Sequence, residues 1–74
     1  MSEFPRITCK AARVNAEMTI EQASKEIGIN RSTLINYEHG NTVPDWDVVE
    51  RISDVYKFPA QFILFGKKSV LNGN

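Results

Sequence analysis

The segment Thr19 to Gly40, TIEQASKEIGINRSTLINYEHG, decides how this chain folds. Thr19 followed three residues later by Gln22 is a capping-box pattern, in which side chain and backbone satisfy each other at a helix start. A helix over about 20–27 follows, with Ala23 and Ile27 one turn apart on its inward side. Gly28 then supplies a left-handed or crowded backbone position at low steric cost. Ile29 is placed to bury within the turn, and Asn30 suits the N-cap of a second helix that runs to about 38 and stops at Gly40. The segment therefore reads as two short helices joined by a tight turn.

Working outward, Ile7, Ala11, Val14 and Met18 recur at spacings of four, three and four, which predicts a first helix over about 6–15 with one apolar stripe. Pro5 falls near its first turn, where a missing N–H costs nothing. Beyond the irregular loop Asn41–Pro44, Asp45 is positioned to cap a fourth helix. That helix keeps an apolar period through Trp46, Val49, Ile52 and Tyr56, with Trp46 expected in the core and Lys57 in the last turn. Pro59 opens a fifth short helix carrying Phe62, Ile63 and Phe65 and closed by Gly66. The expectation is an all-α domain of five helices and no strands over 1–66, followed by a flexible tail over 67–74.

Length and composition bound the function. At 74 residues there is room for one core, and a domain this small buries only about 60% of its unfolded surface. The apolar fraction of 42% argues against disorder along the whole chain. No apolar run approaches the ~18–20 residues that cross a bilayer, and no signal-peptide pattern opens the chain, so a cytoplasmic protein with a reduced Cys9 is expected. One Cys and one His exclude a credible metal site. A nucleophile system would need Cys9, His39 and a carboxylate to meet, and no glycine-rich phosphate loop exists, so neither an enzyme nor a cofactor is expected. Formal net charge is zero, which bears mildly against nucleic-acid binding, although local placement of charge outweighs the sum.

The helix after Asn30 divides by geometry. Leu34, Tyr37 and Glu38 share the side facing the rest of the domain, while Arg31, Ser32, Ile35 and Asn36 share the other. A helix-turn-helix of this layout offers its second helix to the DNA major groove. Arg31 can give two parallel donors to guanine O6 and N7, and Asn36 can pair with adenine N6 and N7. Ile35 suits a thymine methyl, with a partner contact or a plain exposed apolar residue as the alternatives. Thr19, Asn30, Thr33, Asn41 and Thr42 stand where phosphates would be contacted, together with backbone N–H groups at the helix starts. His39 is expected on the surface near this edge.

The chain resembles the helix-turn-helix domains of phage repressor and Cro-type regulators, the XRE family with its lambda-repressor-like fold. The resemblance spans about residues 7–65. It rests on Arg13, then Thr19 with Gln22-Ala23, then Ile27-Gly28-Ile29-Asn30, then Leu34 with Tyr37-Glu38-His39-Gly40, then Pro44 and the rhythm Val49, Ile52, Tyr56, Phe58. It implies a compact five-helix domain that binds double-stranded operator DNA as a regulator, with reading positions on the residues just named. It also implies a partly buried Arg13–Glu38 ion pair, the alternative being two separately solvated side chains. Two positions depart from the family's pattern: Ile20 stands where a phosphate-bracing Gln is common, and Asn41-Thr42-Val43 where Lys or Arg is common. Phosphate attraction is accordingly expected to be lean, with Arg6, Lys10 and Lys25 as the remaining cations.

Such regulators read half-sites in pairs through a two-fold dimer. Phe62, Ile63, Leu64 and Phe65 are too dense an apolar run for one narrow helix face, so Phe62, Ile63 and Phe65 are candidate dimer contacts, with Val70 and Leu71 beyond. The alternative is that they complete the core. The rival function is a protein–protein interaction module on the same scaffold, such as an antitoxin or anti-repressor component. No small-molecule ligand and no membrane partner are expected.

Overall fold

The computed structural model describes residues 6–66; Pro5 and the segment 67–74, including Val70 and Leu71, lie outside the described residues. In chain order the elements are β1 (Ile7–Thr8), α1 (Cys9–Asn15), α2 (Ile20–Ile27), α3 (Arg31–His39), α4 (Trp46–Tyr56), a 3₁₀ turn (Ala60–Phe62) and β2 (Ile63–Leu64). The two short strands pair in parallel, Ile7 opposite Ile63 and Thr8 opposite Leu64. α2 packs against both α3 and α4, and α1 against both as well.

Local chemistry sets most boundaries. The Thr19 hydroxyl accepts the Gln22 N–H at 3.1 Å while Gln22 Oε1 accepts the Thr19 N–H at 2.9 Å, closing the capping box at the start of α2. α2, α3 and α4 all stop in the same way: a left-handed residue (Gly28, Gly40, Lys57) is followed by an N–H that reaches back to a carbonyl of the last turn. Gly28 at φ 89° adopts this conformation without strain. Lys57 at φ 55° carries a Cβ and does so at a cost. Lys57→Gly is therefore expected to raise stability by about 1 kcal/mol, read as a higher midpoint of urea unfolding.

The core gathers Cys9, Ala12, Ala23, Ile27, Leu34, Ile52, Tyr56, Phe58 and Ile63. Burial of each large aliphatic, such as Ile27, Leu34 or Ile52, contributes about 1.5–3 kcal/mol. The inward sides expected for α2 and for α4 from Val49 onward are the observed ones.

Several expectations are corrected. Among the described residues there are four α-helices rather than five, and two short strands are present. The first helix starts at Cys9, not at 6, because Thr8 is extended and caps it, its hydroxyl accepting the Ala11 N–H at 3.0 Å. Its inward face is Cys9, Ala12 and Ala16, whereas Ala11 is exposed and Val14 is 57% exposed. Ile7 belongs to a strand, so it cannot set the phase of the helix. The expected fifth helix is a single 3₁₀ turn, closed by the Phe62 N–H on the Pro59 carbonyl at 3.0 Å; its exit is drawn extended by pairing with β1. Lys57 caps α4 instead of lying in its last turn. Trp46 is outside the core: it opens α4 with 63% exposure, its indole N–H donating to Glu50 Oε2 at 3.0 Å. At the first residue of a helix its side chain lies beyond the packed stretch that starts at Val49.

Candidate nucleic-acid interface

α3 is held from one side and open on the other. Leu34 is fully buried, Tyr37 is half-buried beside it, and the Glu38 side chain is almost entirely covered. Arg13 Nε donates to Glu38 Oε2 at 2.7 Å and Arg13 Nη2 to Glu38 Oε1 at 3.3 Å; Arg13 Nη1 donates to the Met18 carbonyl at 2.8 Å. One guanidinium thus ties α1, the connection after it and the end of α3 together. The Met18 carbonyl leaves no mark in the sequence, since a backbone acceptor is set by the path of the chain.

On the opposite side Arg31, Ser32 and Asn36 are exposed and Ile35 is half-buried. Asn30 is exposed at the N-cap and makes no capping hydrogen bond through its side chain; Thr33 is half-buried, and Asn41 and Thr42 are exposed. The Thr19 hydroxyl is engaged within the capping box. His39 is exposed at the last residue of α3. Of the apolar run near the end of the described chain, Ile63 is buried in the core and is withdrawn from any partner surface, while Phe62 and Phe65 are half-buried.

Residues 9–69 match the family model described as "Helix-turn-helix domain". The chain belongs to the helix-turn-helix family. Within it the chain is of the XRE type. The HTH-type transcriptional regulator ImmR of Bacillus subtilis (strain 168) is 32% identical over 65 residues, an alignment covering 88% of this chain and 50% of that relative. The chain spans about half the length of the curated relative it matches. No solved structure matches it. Among the described residues no helix is long and apolar enough to cross a membrane, and no group of His, Cys, Asp and Glu is arranged to hold a metal.

The chemistry behind α3 in this helix-turn-helix domain is structural. Burial, with Glu38 nearby, pushes the Cys9 thiol from its ordinary 9.0 to about 12, opposed in part by Arg13. Burial also pushes the Tyr56 phenol up, with Cys9 and Glu38 adding to it. A thiol so poor in thiolate is an inert packing group. The unfolded chain releases the Cys9 proton near 9.0 while the folded one holds it to about 12, so the unfolded state loses protons first as pH rises. Stability contributed by the buried thiol is complete below pH 9 and is lost as pH climbs from there toward 12. Thermal unfolding followed by circular dichroism is expected to give a midpoint independent of this group up to pH 8 and falling above 9. Cys9→Ala is expected to flatten part of that fall.

Proposed function

We propose that this chain is a sequence-specific DNA-binding transcriptional regulator of the repressor or Cro-like kind, reading an operator with α3 in the major groove. The observation that carries the reading is the two-sidedness of α3: Leu34 and the Arg13–Glu38 pair fix one side, and Arg31, Ser32 and Asn36 stand exposed on the other. A rigid helix with an exposed polar face is what base readout needs. Arg31 reads guanine, Asn36 reads adenine, and Ser32 and Ile35 read their neighbours, Ile35 through a thymine methyl. Thr19, Asn30, Thr33 and Thr42, with the N–H groups opening α2 and α3, take the phosphates, while the Asn41 amide, expected from the sequence to join them, is engaged by Asn36 Oδ1. A homodimer through Phe62 and Phe65 places two α3 helices on half-sites about one DNA turn apart. The function needs no cofactor and no catalysis. The name of the Bacillus relative and the family membership support this class of regulator, and the resemblance favours a phage or prophage setting in the cytoplasm.

A second reading, a protein-binding module on the same fold, is favoured by the exposure of Val43 and Trp46, each 63% accessible, and by zero net charge. Titration of fluorescent duplex DNA against salt separates the two. With few cations near α3, the regulator is expected to bind with a shallow slope of log K on log salt, on the order of two to four phosphates per protomer. Absence of binding even at low salt would leave the second reading.

A further inference from the structure

The cap that ends α3 also reaches its reading face. The Asn41 N–H donates to the Asn36 carbonyl at 2.9 Å, and the Gly40 N–H to the Tyr37 carbonyl at 3.2 Å, the paired bonds of a Schellman cap. The same two asparagines are joined a second time: Asn41 Nδ2 donates to Asn36 Oδ1 at 3.2 Å. The main-chain bond fixes where Asn41 sits, and so delivers its amide to the amide of Asn36. Both residues are exposed, so this bond fills no core.

We infer that Asn41 is a positioning residue for base readout, coupling the orientation of the Asn36 amide to its own through the bond to Oδ1. The inference rests on the reading of α3 as the groove-facing helix. An unrestrained asparagine amide can turn by half a rotation and offer its donor end or its acceptor end, to suit different bases. With one lone pair of Oδ1 held by Asn41, turning the Asn36 amide alone would set its Nδ2 against Asn41 Nδ2, donor against donor, so the Asn36 amide can turn only together with that of Asn41. The held form keeps both Nδ2 hydrogens and the second Oδ1 lone pair of Asn36 for a base, which is the complement of adenine N7 and N6. Asn41 thereby makes the other orientation of Asn36 costlier, because two side chains must turn instead of one. Holding the side chain before DNA arrives also lowers the ordering cost of the contact.

The test uses the full chain and a duplex selected by it from a random pool, with every single-base variant of that duplex. Asn41→Ala is expected to relax discrimination by roughly 3- to 10-fold, the worth of one hydrogen bond. The relaxation should fall at one base pair per half-site, the pair at which Asn36→Ala also loses its preference. In the Asn36→Ala background, Asn41→Ala should add nothing at that pair. A loss that is equal across all duplexes and additive with Asn36→Ala would make Asn41 an independent phosphate contact and overturn the inference. If Asn36→Ala leaves every base preference unchanged, the reading of α3 itself fails, an outcome visible without Asn41→Ala. Side-chain amide NMR of the DNA-free wild type gives a readout independent of any variant's folding. One Asn41 Nδ2 proton should exchange slowly relative to its twin; identical fast exchange of both would also overturn the inference.

Discussion

Glu38→Ala is expected to lower the free energy of unfolding by about 3–5 kcal/mol, a large share of the roughly 5–15 kcal/mol typical of a whole domain. Glu38 and Arg13 have side chains only 5% and 11% exposed, and their bond is 2.7 Å long. Removing the carboxylate strands a guanidinium in that setting with the Met18 carbonyl as its remaining partner among the bonds described above. The cost is that of leaving a charge desolvated, which exceeds the net worth of the intact pair. Glu38→Gln keeps the shape and one acceptor, so it should lose less than Glu38→Ala but remain clearly destabilised. Urea unfolding at neutral pH measures both; unchanged midpoints would mean that the pair contributes nothing. Because the bond joins α1 to the end of α3, the same variants should lose DNA affinity only to the extent that they unfold.

Arg31→Ala is expected to cost about 10- to 100-fold in affinity for the selected operator, the range of one bidentate arginine–guanine contact. Arg31 opens α3 and is exposed, so its loss leaves the core untouched and the melting temperature close to that of wild type. Two signatures distinguish base reading from simple attraction. Discrimination at one base pair should relax, and the salt slope should change little, since a base contact releases no phosphate counterion. Arg31→Lys should not rescue the preference, because a point charge lacks the planar pair of donors.

The central segment was legible because its signals are local. Thr19 with Gln22, the left-handed Gly28, and the spacing of Leu34, Tyr37 and Glu38 act within one or two turns. For the first helix the apolar pattern points to the wrong side. Positions 9, 12, 13 and 16 share one helical face, and that face carries Cys9, Ala12, Arg13 and Ala16. The more hydrophobic Val14 drew the stripe to the wrong side, although an inward Arg13, which the ion pair requires, already placed 11 opposite it. Small residues win here because α1 packs close to its neighbours. The strands could not be foreseen from pattern, since two residues show no alternation and their pairing joins distant parts of the chain. Period alone places Trp46 inward, but a helix's first turn overhangs the packed stretch. The Asn36–Asn41 bond depends on a cap geometry that names neither residue in advance.

Selection of bound sequences from a pool of random duplexes by the wild-type chain is the direct test of base reading by α3. The expected result is enrichment of a recurring site that contains a guanine lost from the preference of Arg31→Ala and an adenine lost from that of Asn36→Ala. Failure to enrich any sequence at low salt, with the protein folded, would contradict it.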